Sequence, residues 1–245
     1  MKKHVPNAIT TLNLICGCLA ITNAFTGELY ISAILIFVGT ILDFMDGAAA
    51  RLLKVSNPLG EQLDSLSDMI SFGLAPGIIL FQYVNHLHAE NPSDLISSYS
   101  WLPYLAFFIP VFSSFRLAKF NIDTRQTLSF IGLPTPANAG FFIFIVVVYF
   151  FPDFPQIIPT KNLILPLISN PIIMLGLGIV FSFLLLAEIP MFSLKMKSLK
   201  WKGNELPLTF ILLFFLLLIL VSIVAFPLIL ILYILWSIVA KYTTK

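Results

Sequence analysis

Apolar residues along this chain fall into long runs separated by short polar breaks. Eight runs stand out: Thr10–Thr26, Tyr30–Leu53, Leu63–Val84, Trp101–Phe120, Ala137–Phe151, Pro171–Pro190, Pro207–Val224 and Pro227–Ala240. A helix needs about 20 residues, within a range of about 17 to 25, to cross a bilayer. The pattern therefore predicts an all-α, polytopic helical membrane protein with about eight transmembrane helices. The fifth and eighth runs are short. The last two share one apolar stretch broken by Pro227, and a single bent helix is the alternative there.

Charge placement supports the count of eight. With a cytoplasmic N-terminus, eight spans put Lys2, Lys3, Arg51, Lys54, Arg116, Lys119, Arg125, Lys195, Lys197, Lys200, Lys202, Lys241 and Lys245 on the cytoplasmic side. Only Lys161 falls outside, a strong positive-inside asymmetry that makes both termini cytoplasmic. A single last crossing would strand Lys241 and Lys245 on the outer side.

Composition agrees. Of 245 residues, 58% are hydrophobic and 11% charged, against about 25% charged in soluble domains. The net charge of +2 gives no footprint for a nucleic-acid partner. Cys16 and Cys18 point to different faces of one helix and read as apolar filler. A lipoprotein box ending at Cys18 would discard the N-terminal motif described below. Thr10, Thr11 and Asn13 interrupt what would be the apolar core of a signal peptide.

Acidic residues are scarce, so their positions carry information. Asp43 and Asp46 end the second run, and Asp64 and Asp68 begin the third. Spacings of three and four put each pair on one helix face. Two consecutive antiparallel helices would turn four carboxylates toward each other at the cytoplasmic edge. Four such charges repel unless cations neutralise them, and hard oxygen ligands suit two divalent ions, Mg²⁺ or Mn²⁺. Gly47, Ala48, Ala49 and Ala50 allow close approach of a ligand or backbone. Arg51 is a fixed charge suited to phosphate oxygens. A buried charge cluster that only fixes helix packing is the bland alternative. A membrane cation or lipid transporter is another, since intramembrane acids also mark ion paths. These acids, however, sit at one edge, and no second cluster continues a path.

The stretch Asp43-x-x-Asp46-Gly47-x-x-Ala50-Arg51, eight residues, Gly60, three residues, Asp64, three residues, Asp68 resembles the CDP-alcohol phosphatidyltransferase signature at every fixed position. The resemblance implies that Asp43, Asp46, Asp64 and Asp68 hold the metals and that Asp68 is also the general base. It implies that Asn7, Thr10, Gly47, Ala50, Arg51 and Gly60 bind the CDP-diacylglycerol. Pro6-Asn7-Ala8-Ile9-Thr10, with Asn13-Leu14 and Gly17, is similar to the N-terminal motif of the serine-accepting subgroup. So are Ser71–Gly77, Phe115–Asn121 and Gly132–Ala137, with a weaker likeness over Ile189–Ser193. Helix capping by Asn7 and Thr10, packing at Gly73 and Gly77, and positive-inside anchoring by Arg116 and Lys119 are the plain alternatives.

The resemblance implies one membrane domain over 1–245, with a catalytic core over about 5–140 and further spans over about 170–240. It implies CDP-diacylglycerol and L-serine as substrates, the bilayer as environment and a homodimer as candidate assembly. The active site would face the cytoplasm in a bacterial or archaeal inner or plasma membrane. Arg116 is the candidate for the serine carboxylate, which a guanidinium can grip in a bidentate pair. Asn121 is the candidate for orienting the amine or phosphate. Glycerol phosphate and inositol phosphate remain alternative acceptors, and their extra phosphate calls for more than one spare cation.

Overall fold

The computed structural model describes residues 4–55, 58–123, 130–191 and 204–243. Lys2, Lys3, Arg125, Lys195, Lys197, Lys200, Lys202 and Lys245, and the Phe192-Ser193 end of the last resemblance, lie outside the described residues. The chain is an integral membrane helical protein. Its N-terminal half comprises α1 (Val5–Phe25), α2 (Leu29–Leu53), α3 (Pro58–Asp68), a π-helical segment (Met69–Leu74), α4 (Ala75–Glu90), the short α5 (Asp94–Ser98) and α6 (Phe108–Ile122). A 3₁₀ turn at Leu102–Phe107 leads into α6, and α7 (Thr135–Phe150), α8 (Lys161–Ile168), α9 (Pro171–Leu186), α10 (Glu205–Val221) and α11 (Ala225–Thr243) follow.

Five helical runs are long and apolar enough to cross a membrane: Val5–Phe25, Leu29–Leu53, Pro58–Glu90, Leu102–Ile122 and Pro207–Val239. A sixth is added if α8 and α9, bent by 80°, count as one span. The expected eight are thus not all matched by length. The fifth expected run corresponds to α7, whose 16 residues reach only about 24 Å against a hydrocarbon core of about 30 Å.

The last apolar stretch folds back on itself. The Phe210 ring lies 6.2 Å from that of Tyr233 and 6.3 Å from that of Trp236, whereas one continuous helix would separate positions 210 and 236 by about 39 Å. The reversal occurs at Ser222–Val224, a 3₁₀ turn entered through Ser222 at φ +55°. It does not occur at Pro227, which occupies the first turn of α11, where proline's missing N–H has no intrahelical partner to lose.

Two residues on each side depart from the all-α expectation. Phe130–Ile131 and Pro190–Met191 pair antiparallel, with Phe130 opposite Met191. Gly132 extends this bridge, donating its N–H to the Ile189 carbonyl at 2.9 Å. It has φ +77°, and a Cβ there would sit 2.5 Å from the Leu185 carbonyl oxygen, so only glycine fits.

Burial runs opposite to a soluble helix. On α1 the buried positions are Pro6, Thr10, Asn13, Gly17, Ala20 and Ala24, a stripe at spacings of three and four. The large apolar residues Leu12, Ile15 and Leu19 point outward. Small and polar residues allow close helix approach where lipid already satisfies the apolar faces. A Cβ on Gly17 would lie 2.6 Å from Ser71 Oγ and 3.0 Å from Ser71 Cα. That contact is fixed by hydrogen bonds from Ser67 Oγ to the Thr10 carbonyl (3.1 Å) and from Ser71 Oγ to the Asn13 carbonyl (3.0 Å).

Gly17→Ala is therefore expected to destabilise the protein by about 1–3 kcal/mol through overpacking. Gly140→Ala, with nothing within 4 Å of the added carbon, should be neutral or stabilising by about 0.5–1 kcal/mol. Thermal unfolding of both variants in one detergent checks this, and equal melting temperatures would show that α1 and the π-helical segment are not tightly apposed.

Candidate functional site

The four acids sit where α2 ends and α3 runs beside it. Asp43, Asp64 and Asp68 each offer an oxygen lying within 4.8 Å of the other two. All three are half-buried. Asp64 Oδ1 and Asp68 Oδ1 are buried without a hydrogen-bond partner. Converging carboxylate oxygens, some without donors, fit a hard divalent cation: only oxygen ligands are offered, and their charges repel unless neutralised.

Asp46 stands slightly apart from the trio. It is 6% exposed, and its Oδ2 accepts a hydrogen bond from Thr10 Oγ1 at 2.6 Å. That bond orients the carboxylate as outer-sphere partners orient metal ligands. It also ties α1 to α2 directly beside the cluster. Thr10 is in turn near the Pro6 carbonyl (3.0 Å), so its position depends on the first turn of α1.

A cavity of about 500 Å³ opens beside the cluster, walled by α1, the end of α2 and the start of α3. Its lining includes Asn7, Thr10, Asp46, Gly47, Ala50, Arg51, Gly60 and Asp64. Residues 36 or more apart in sequence thus share one wall, and Asp64 belongs both to this wall and to the carboxylate trio. The volume suits a nucleotide-sized polar head. A Cβ at Gly47 would meet Arg51 Nη1 at 3.4 Å, so the glycine leaves the guanidinium room beside the helix.

Lys54 and Glu61 also line the cavity and were not singled out from sequence. In the sequence Lys54 counts only among the positive-inside charges. Its spacing of three from Arg51 places both cations on one face, which is the signal that would have found it. Lys54 ends α2 in a left-handed conformation (φ +50°).

The two acceptor candidates separate. Arg116, on α6, is 8% exposed, its guanidinium 4.9 Å from the Phe120 ring centroid. It lies within electrostatic range of Asp68 and does not line the cavity. Asn121 is exposed and exchanges hydrogen bonds with Ser65 at 3.0 and 3.3 Å. It thus joins α6 to α3 rather than lying among the buried groups.

Residues 3–184 match the family model described as CDP-alcohol phosphatidyltransferase, further than the expected core. The chain is 34% identical over 137 residues to the CDP-diacylglycerol--serine O-phosphatidyltransferase of Bacillus subtilis (strain 168), covering 54% of this chain and 70% of that protein. It is 35% identical over 136 residues to the protein of that name from Helicobacter pylori (strain ATCC 700392 / 26695), covering 55% of this chain and 53% of the relative. The same identity over 136 residues is found with the protein of that name from Methanocaldococcus jannaschii, of which 56% is covered. The chain thus spans little more than half the length of the latter two.

Proposed function

Because the chain belongs to the CDP-alcohol phosphatidyltransferase family, we propose that it transfers the phosphatidyl group of CDP-diacylglycerol to L-serine, giving phosphatidylserine and CMP. The observation that carries this reading is that Asp64 is shared between a nucleotide-sized cavity and a trio of converging carboxylates. The serine acceptor is supported by the names of the relatives and by a buried guanidinium near Asp68.

CDP-diacylglycerol binds with its tails in lipid and its head in the cavity. Asn7, Thr10, Gly47, Ala50 and Gly60 shape that cavity, and Arg51 and Lys54 bring positive charge to the diphosphate. Asp43, Asp46, Asp64 and Asp68 would hold two divalent cations, Mg²⁺ or Mn²⁺, whose chemistry is to neutralise the diphosphate and polarise the phosphorus bearing diacylglycerol. Asp68 takes the proton from the serine hydroxyl. The serine oxygen forms the new bond to that phosphorus, the bond to the CMP oxygen breaks, and CMP carries away the electron pair. Thr10 keeps Asp46 in place during the step, and Arg116 holds the serine carboxylate. Asn121, through Ser65, steadies α3 against α6. Positioning and fixed charge supply most of the acceleration.

An acceptor panel with the purified protein in detergent tests the reading. CMP release from CDP-diacylglycerol should appear with L-serine and be lower with glycerol phosphate or inositol phosphate by at least 10-fold. Faster release with a phosphorylated acceptor would overturn the serine assignment and leave the family chemistry standing. Cation flux into vesicles without CMP release would favour a transporter.

The charge asymmetry further supports eight crossings with both termini and the active site cytoplasmic. Reporter fusions at Lys245 and within Asn85–Ser100 should then report opposite sides of the membrane. Both on one side would remove either the final hairpin or an earlier span from this topology.

A further inference from the structure

The reading above leaves several buried polar side chains unused; besides Asn13 on α1 and Ser237 on α11, three lie on α6 and α7. Ser113, Thr135 and Asn138 are each 0% exposed. Ser113 Oγ, Thr135 Oγ1 and both amide atoms of Asn138 lack a hydrogen-bond partner among the described residues. Inside a lipid-embedded bundle, unmade hydrogen bonds are costly, so such groups point to something that comes and goes.

Their placement is specific. Ser113 is three residues before Arg116, on the same face of α6. Its Cβ lies 3.1 Å from where a Cβ on Gly73 would be, and Gly73 belongs to the π-helical segment that begins immediately after Asp68. Thr135 and Asn138 share one face of the first turn of α7, which packs against both the π-helical segment and α6. Nothing in the nucleotide cavity touches these residues: its walls are α1, α2 and α3. In-line phosphoryl transfer puts the attacking and leaving oxygens on opposite sides of phosphorus. With the nucleotide on the α1–α3 side, the acceptor needs another approach to the cluster, and Arg116 of α6, within electrostatic range of Asp68, marks one.

The chemistry of the lining then narrows the acceptor. Ser113 Oγ, Thr135 Oγ1 and Asn138 Oδ1 are three acceptor oxygens, and an ammonium has three N–H donors. All three are neutral, so they can hold an ammonium without pairing with the nearby guanidinium, as a carboxylate would. Arg116 supplies a fork for a carboxylate. We propose that Ser113, Thr135 and Asn138 form the amine-recognising wall of the acceptor pocket, opposite the Arg116 guanidinium, so that the site selects a β-hydroxy α-amino acid. The assignment rests on the reading of the chain as a serine phosphatidyltransferase.

The test compares L-serine with 3-hydroxypropionate, which keeps the hydroxyl and carboxylate and lacks only the amine. Wild type should prefer L-serine in kcat/KM. In Asn138→Ala that preference should fall roughly 10- to 100-fold, the range for one hydrogen bond to a charged group, chiefly through a higher KM for L-serine. Titration of CDP-diacylglycerol and thermal unfolding establish that the variant is folded. Should Asn138→Ala fail to fold, the near-isosteric Thr135→Val carries the same comparison. A preference that stays as in wild type in a folded variant, with both acceptors lost together or neither affected, would overturn the assignment and make these residues packing groups only. Wild type that releases CMP with another acceptor and not with L-serine would overturn the serine reading itself, and this inference with it.

Discussion

Asp68→Asn is expected to abolish turnover while leaving the protein folded. Asp68 meets Asp43 and Asp64 within 4.8 Å and has a buried oxygen without a partner. The amide keeps the shape but cannot accept the hydroxyl proton, and it is a poorer cation ligand. Loss of a general base costs roughly 10²–10⁴-fold, and weakened metal binding adds to that. Stability in metal-free detergent should hold or rise, because one charge leaves a cluster of like charges. CMP release with L-serine measures the first effect and thermal unfolding the second. Turnover within a few-fold of wild type would show that the base lies elsewhere.

Removal of divalent metal should be equally severe. The carboxylate trio has no Lys or Arg salt bridge among the described residues; the buried Arg116 lies within electrostatic range of Asp68 without pairing with it. Excess chelator should reduce CMP release to background, and Mg²⁺ or Mn²⁺ should restore it. A ligand that binds only the folded state at about 100 times its Kd stabilises by about 2.7 kcal/mol. Metal addition should therefore also raise the melting temperature of wild type, and much less that of Asp68→Asn. Full activity after confirmed metal removal would rule out the metal-assisted mechanism. A metal-induced rise in melting temperature equal in both proteins would place the ion away from Asp68.

Much of the site was legible in one dimension. Spacings of three and four are enough to put Asp43 with Asp46, and Asp64 with Asp68, on common helix faces. A short turn between consecutive helices is enough to bring the pairs together. The division of labour within the four was not legible: Thr10 bonds Asp46 at 2.6 Å, while Asp43, Asp64 and Asp68 converge. That depends on where α1 crosses α2, at Asn13 and Gly39, and on how α1 meets the π-helical segment, at Gly17 and Ser71. Lys54 was hidden among topological charges. Asn121 looked like an acceptor residue because it ends the same motif as Arg116, yet it reaches Ser65 at the surface.

The sequence by itself determined that the chain lives in a membrane, which helix faces carry the acids, and that glycine, small residues and arginine stand between the two acidic pairs. These follow from hydropathy and helical periodicity, both local properties. The tertiary structure decided the rest: the reversal at Ser222 rather than Pro227, the bend between α8 and α9, and the burial of Ser113 on α6 and of Thr135 and Asn138 on α7. In lipid, apolar character no longer separates inside from outside, since Leu12 and Leu19 face out as comfortably as they would face in. What is buried is set by small and polar contacts between helices distant in sequence, and only the packed bundle brings those together.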